Sequence, residues 1–513
     1  MVAFFRGKLA FALKVAFLAG ISALLVLLLL SAFGQKQYAI GIFLILVVIG
    51  LNFTYLTKVS IPLKFFYPGL IFLLGFVVAP IVFTLTMSTY NYKTGNYIGK
   101  TEAISQIQKL AIEPDANGST FDIVVGKYKG TESAILASDT VRKLYFISTY
   151  KERIDLTAAD LQLNEYQVAT KANNFAALPE GELAGADKLL STSRFFYTSE
   201  FFIALEGFDI GALYRQKLNF VSDKDEFQNI STGAIYRDNG KGNYANVDNS
   251  AEILEPGWRA PIWIENYSKL LLDPKVREPL IRVFIWTVVF ALSSVVTAFG
   301  FGLLLALALN KPIRGRRFYR SILILPYAMP SVMSILIWGG MFNTEFGAIN
   351  ELFGTQVAWF QSVTFARIAV VVVNLWLGFP YFYLVSSGAL QAIPSELNEA
   401  AAIDGASPRQ VFSKITLPLL LRILSPLLIA SFAFNFNNFN LIYLLTGGGP
   451  KSTLDGDIAG ATDILISYTY QIAFGSFTQD LGLASAISVI IFLLVASISL
   501  YGIRKSKVLD SFV

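Results

Sequence analysis

Apolar residues in this chain do not alternate with polar ones; they gather into runs. Eight runs, at roughly 10–33, 38–56, 63–87, 280–310, 319–342, 364–393, 419–446 and 480–503, each supply about the 20 apolar residues a helix needs to cross a bilayer. Between the third and fourth lies a polar stretch, 88–278, long enough for a domain of its own. It holds strand-like runs at Phe121–Val125 and Lys143–Ile147, helix-compatible stretches near 101–112 and 180–190, and a turn-rich segment near 238–250. The pattern predicts an all-α polytopic membrane protein of eight transmembrane helices, with one large mixed α/β domain inserted between helices 3 and 4. The expected parts are 1–87, 88–278 and 279–513.

Composition sharpens this reading. The chain is 513 residues long and 54% hydrophobic, too apolar for a soluble protein of this size. It has no Cys and no His, which excludes disulfides, thiolate clusters, the usual zinc sites and a Ser-His-Asp triad. The first run is longer than a signal-peptide core, and no Ala-x-Ala-like cleavage site follows Phe33, so it reads as a retained helix.

The net charge of +5 conceals an asymmetry. Residues 88–278 hold 26 of the 36 acidic and 21 of the 41 basic residues, leaving 10 acids against 20 bases elsewhere. The outlying bases cluster: Arg6, Lys8 and Lys14; Lys58 and Lys64; Lys311, Arg314, Arg316, Arg317 and Arg320; Arg504, Lys505 and Lys507. If eight helices alternate, all fall on one side, which the positive-inside rule makes cytoplasmic. Both termini are then cytoplasmic and 88–278 lies outside. The basic excess signals membrane orientation, not a nucleic-acid partner.

One segment on that cytoplasmic side, 394–418, is polar where its neighbours are apolar. Ser395 is a candidate N-cap, Glu399-Ala400-Ala401 favours helix, and Gly405 and Pro408 break it before a second short helix at about 408–416. An amphipathic loop is the plain reading. The pattern Glu399-Ala400-Ala401, Asp404-Gly405, Ile415, Leu417-Pro418 resembles the EAA loop of ATP-binding-cassette (ABC) importer permeases. That resemblance implies that Gly405 sets the turn and that the loop docks on a partner ATPase and moves with it.

Polar residues also recur inside two spans. Asn374, Leu377, Gly378 and Tyr381 fall at i, i+3, i+4 and i+7 of one helix; Ser431, Phe434, Asn435 and Asn438 repeat that spacing on the next. A ring beside amides suits a sugar, stacking on its apolar face and bonding its hydroxyls. Interhelical glue is the competing reading, and spacing alone favours it. Pro380 lies within the first set's span as a candidate kink, equally a gate element or a fixed bend.

The runs Asn374–Tyr381 and Ser431–Phe439 resemble those of the larger, MalF-type permease subunits of maltose/maltodextrin ABC importers, within the binding-protein-dependent transport permeases. The likeness extends over about 280–503, and the plan of eight helices with one large insert also matches. It implies that those eight residues form a transmembrane sugar site. It also implies a bacterial inner-membrane location and three partners: a smaller MalG-type permease, a homodimeric MalK-type ATPase carrying ATP and Mg, and a periplasmic sugar-binding protein.

No phosphate-cradling loop is present: in Gly447-Gly-Gly-Pro-Lys-Ser452, Pro450 stands where glycine must precede the lysine. The chain is expected to bind no cofactor or metal and to do no covalent chemistry. Those glycines end the seventh helix. The basic loop 311–320 reads as an orientation signal, with lipid binding as the alternative. A receptor would need a cytoplasmic output domain, and a secondary transporter a buried ion-coupling group. Neither is evident after residue 280. A different oligosaccharide remains open.

Overall fold

Described here from a computed structural model are residues 7–505, apart from 36, 116–117, 180–181, 183–192, 311–312, 452–457 and 476–478. Arg6, Lys311, Ser452, Lys507 and nearly all of the expected helix at 180–190 lie outside the described residues.

Among the described residues, seven helices are long and apolar enough to span a membrane: α1 (Lys8–Gly34), α2 (Tyr38–Leu56), α3 (Ile61–Met87), α4 (Pro274–Ala308), α7 (Val363–Ala392), α9 (Pro408–Phe436) and α11 (Leu481–Lys505). The expected span at 319–342 is instead two helices, α5 (Arg316–Ala328) and α6 (Ser331–Met341), bent by 94° at their junction. Pro326 and Pro330 explain the break, since neither can donate to the helical ladder. The expected span 419–446 is also displaced. Ser407 accepts from the Gln410 amide and Pro408 occupies the first turn, so α9 starts there and runs unbroken to Phe436. The chain then breaks at Asn437, and Asn438 caps a separate short helix, α10 (Phe439–Leu445). No second short helix stands apart at 408–416, and α7 continues through Pro380.

Residues 1–87 form one compact unit and 88–513 another. Within the first, Asn52 donates to Ser22 at 2.9 Å and Tyr67 to the Val47 carbonyl at 3.2 Å, tying α2 to both neighbours.

The insert is β-rich rather than evenly mixed. Among the described residues its α-helices are Lys100–Leu110 near the start and Glu265–Leu272 at the exit. The main sheet is antiparallel and runs Arg194–Phe196, Phe201–Leu205, Ile210–Gln216, Thr120–Tyr128, Glu132–Asp139, Leu144–Thr149, Arg153–Asp155. Side chains of Thr120–Val125 alternate between faces, burying Phe121, Ile123 and Val125 against Phe146, Phe195 and Ile203. A four-stranded meander, Leu218–Asn246, buries Phe227, Tyr236 and Tyr244 against Ala103 and Ile107 of the first insert helix. The two ends of the insert meet: Tyr90–Asn91 pairs with Ala260–Pro261, and buried Asn266 donates to the carbonyls of Ser88 and Tyr90. The domain therefore hangs from a closed neck.

Below the neck, α4, α9 and α11 share a core of Val283, Phe436 and Ile487. α4 and α7 cross closely at Gly302, where a β-carbon would lie 2.7 Å from the Tyr383 amide and 2.9 Å from the Phe379 carbonyl. That crossing aims one face of α7 toward α9.

Candidate functional site

α7 and α9 face one another across a cavity of about 620 Å³, within the range of small-ligand sites. All eight residues singled out from the two spans line it: Asn374, Leu377, Gly378 and Tyr381 from α7, Ser431, Phe434 and Asn435 from α9, and Asn438 from the break that follows. Helical spacing sets each face, and the close packing of α4 holds α7 in place. Gly378 matters for that packing, because a β-carbon there would stand 3.2 Å from that of Ala298.

The lining residues divide into amides and rings. Asn374 donates to the Asn435 side-chain oxygen at 2.8 Å, and both residues are buried. Asn435 in turn donates to the Ser431 carbonyl at 2.8 Å. Asn438 donates to the Asn374 oxygen at 3.2 Å and caps α10 with its own oxygen. This network stitches α7 to α9, so part of the set is glue. Phe434, by contrast, is 69% exposed, and Tyr381 is half-buried beside Phe382. Two rings therefore flank a wall of amides and hydroxyls, and among the described residues no charged side chain lines the cavity. Such a wall offers donors, acceptors and stacking faces to a neutral polyhydroxylated ligand.

Of the contributions that sequence reasoning missed, two come from helices other than α7, α9 and α10. The Ser294 hydroxyl on α4 lines the cavity, buried and without a hydrogen-bond partner among the described residues. The bend between α5 and α6 adds Pro326, Tyr327, Met329 and Ser331. Two prolines four residues apart in an apolar run were the signal for the second; nothing marked the first.

The segment between α7 and α9 forms a second region. α8 (Ser395–Ile403) starts after Pro394, and no side chain caps it; the capping expected of Ser395 is supplied only at Ser407, before α9. Gly405 adopts φ +79°, its amide bonds the Ala402 carbonyl at 3.1 Å, and the Ala406 amide bonds that of Ala401 at 2.9 Å. This is the Schellman arrangement, which a β-carbon at Gly405 would strain. Glu399, Ala400 and Asp404 are exposed, Ala401 is partly so, and Ile403 is 87% exposed. Ile415 lines a groove with Asp404 and Gly405. Leu417 packs inward on Ile393, Leu420 and Leu424, and Pro418 is exposed. The eight residues thus split into an exposed helix and turn (399–405), a groove residue (415) and a pair within α9, of which Leu417 packs inward and Pro418 is exposed (417–418).

Residues 298–506 match the model of the family described as binding-protein-dependent transport system inner membrane component. Over 455 residues the chain is 35% identical to the maltose/maltodextrin transport system permease protein MalF of Vibrio vulnificus, covering 86% of this chain and 85% of that one. The chain belongs to the MalF permease family. The MalF of Salmonella typhimurium is 36% identical over 466 residues, covering 86% of this chain and 87% of its own. Among solved structures, a bacterial ABC transporter involved in the import of the acidic polysaccharide alginate is 21% identical over 48% of this chain and 84% of its own, at a TM-score of 0.41, a loose likeness. MalF permeases are polytopic inner-membrane transport components whose ATPase activity sits on a separate subunit.

Proposed function

We propose that this chain is the larger permease subunit of an ATP-driven ABC importer for maltose/maltodextrin-type oligosaccharides. One observation carries the reading. The two helices that flank the exposed segment 394–407, α7 and α9, are the same two whose facing sides build the ring-and-amide cavity. A push on α8 is transmitted through Gly405 into α9 and changes the gap where Asn374, Leu377, Gly378, Tyr381, Ser431, Phe434, Asn435 and Asn438 meet a sugar.

In this scheme α5 and α6 together make a further span, completing eight, and both termini are cytoplasmic. Residues 1–87, the 88–278 insert and the 279–513 core are its three parts. A periplasmic sugar-binding protein docks outside, partly on the insert. A smaller MalG-type permease closes the far side of the path. A homodimeric MalK-type ATPase takes Glu399, Ala400, Ala401, Asp404, Gly405 and Ile415 into its cleft, with Leu417 and Pro418 rooting the lever in the membrane. ATP closure turns the cavity outward to accept sugar, and hydrolysis returns it inward. This chain binds, orients and releases, and makes no covalent bond.

The exposed alanines of α8 support the docking role, since small side chains let a partner surface approach the helix closely. The test is co-purification and coupling. With Glu399→Lys, ATPase association and sugar-stimulated hydrolysis should fall about tenfold, as for loss of one charged contact at an interface. Unaltered assembly and coupling would remove the docking role, and uptake by a complex lacking any ATPase would remove the whole reading.

A further inference from the structure

A second pocket, of about 250 Å³, opens beyond the far end of α10. It is lined by Tyr443 on α10, by Tyr470 and Phe474 from the helical segment starting at Leu465, and by Lys451 and Gln471. We infer that this pocket is an outer carbohydrate subsite, which holds the part of a longer oligosaccharide that extends beyond the central cavity. The inference deepens the proposed function and rests on it.

The same helix carries residues of both spaces. Asn438 and Asn440 line the central cavity, Tyr443 and Gly447 the outer pocket. Asn440 and Tyr443 fall at i and i+3 of α10, about 5 Å apart along its axis, and Gly447 follows in the turn past its end, so one wall runs from the central cavity into the outer pocket. Rings continue along it: Phe439 stacks on Tyr443 at 5.0 Å, Tyr443 meets Tyr470 at 5.5 Å and Tyr470 meets Phe474 at 5.3 Å. Tyr443, Tyr470 and Phe474 are 48%, 37% and 57% exposed, so their faces remain open to stacking.

Polar groups stand beside the rings. The Lys451 ammonium donates to the Gln471 side-chain oxygen at 3.3 Å, and the Gln471 amide donates to both Asp463 oxygens at 2.9 Å. Asp463 is fully buried and also accepts from Ser467 at 2.7 Å and from the Gly460 amide at 2.7 Å. The carboxylate is fixed by the loop and in turn fixes Gln471 and, through it, Lys451 at the pocket. Rings with positioned donors are what a chain of pyranose units needs at successive positions.

The test uses the complete transporter, reconstituted with its partner permease, ATPase and binding protein, and compares uptake of maltose with uptake of maltoheptaose. Tyr470→Leu and Phe474→Leu keep an apolar side chain but remove the flat face. Maltoheptaose kcat/KM should fall about fivefold in each, the size of one lost ring contact, with maltose changed less than twofold. Equal loss for both sugars, loss for neither, or release of the partner permease would overturn the inference; the last would make the rings a subunit interface. Asn435→Ala separates the two levels. If it abolishes maltose uptake while the ring variants show no chain-length effect, only the outer subsite fails. If maltose uptake survives Asn435→Ala, the central reading fails first.

Discussion

The insert and the membrane core solve the same problem, holding polar groups in place, by different chemistry. All seven ion pairs among the described residues lie in the stretch from Lys100 to Glu265. In the insert, Lys100 sits between Asp225 at 2.5 Å and Asp238 at 2.7 Å, under the rings of Trp258 and Tyr244, while Tyr244 donates to Asp225 at 2.6 Å. In the core, the cavity wall is stitched by amides alone, Asn438 to Asn374 to Asn435. Water near the insert screens charge and lowers the cost of separating it. In a bilayer an unpaired charge is expensive, so neutral donors and acceptors do the same work.

The comparison breaks first where a charge is moved into the wrong region. Asn435→Asp keeps shape but places a carboxylate between α7 and α9. A charge at that depth costs about 3 kcal/mol, so uptake by the assembled complex should fall roughly 100-fold. Near-normal uptake would show that the cavity tolerates charge.

The converse change removes a charge from the insert. Lys100→Met leaves Asp225 and Asp238 facing each other. Because Lys100 is about one-third exposed, screening reduces the loss to about 1–2 kcal/mol. Limited proteolysis of the insert should accelerate about tenfold while sugar uptake, once assembled, is retained. Unchanged proteolysis would make the pair ornamental.

A smaller effect belongs to the stitching amides. Asn374→Leu removes bonds to both Asn435 and Asn438. Interhelical hydrogen bonds in bilayers average about 0.6 kcal/mol. The complex should therefore melt only a few degrees lower while affinity for sugar drops several-fold. Dissociation of the complex instead would mean the amides are glue and nothing more.

The subtlest test is acid. Burial raises the Asp225 carboxyl, but hydrogen bonds from Lys100 and Tyr244 outweigh it and hold the group below its ordinary value. A depressed carboxyl contributes fully above the unfolded value, about pH 4, and loses its contribution as pH falls through the folded one. Fluorescence of the complex on acid titration should show Trp258 released only below about pH 4. Lys100→Met should move that transition upward, and no movement would remove Lys100 from the linkage.

The contrast also governs what could be read in advance. Apolarity marks a span, so α1, α2, α3, α7 and α11 are legible within a few residues. It does not mark direction, so the 94° turn after Ala328 was lost inside an apolar run, and the early start of α9 at Pro408 inside the polar segment that precedes one. Both are decided by proline and by the Ser407 cap, local features weaker in a hydropathy profile than the residues around them. In the site, side chains at helical spacing were legible because a helix fixes which residues share a face. Ser294 was not, because its place depends on how α4 crosses α7. In the insert, strands such as Thr120–Tyr128 announce themselves by alternation, while sheet order and the closed neck are tertiary outcomes.

The central claim is that the space between α7 and α9 is where sugar crosses. Tyr381→Ala tests it most directly, since Tyr381 faces the cavity and takes no part in the amide stitching. ATP-dependent maltose uptake should be measured in vesicles containing the purified complex, alongside subunit stoichiometry. The account requires uptake to fall about tenfold or more, as for loss of a buried ring contact to ligand, with every subunit still present. Unchanged uptake, or loss of uptake only because the complex has come apart, would contradict it.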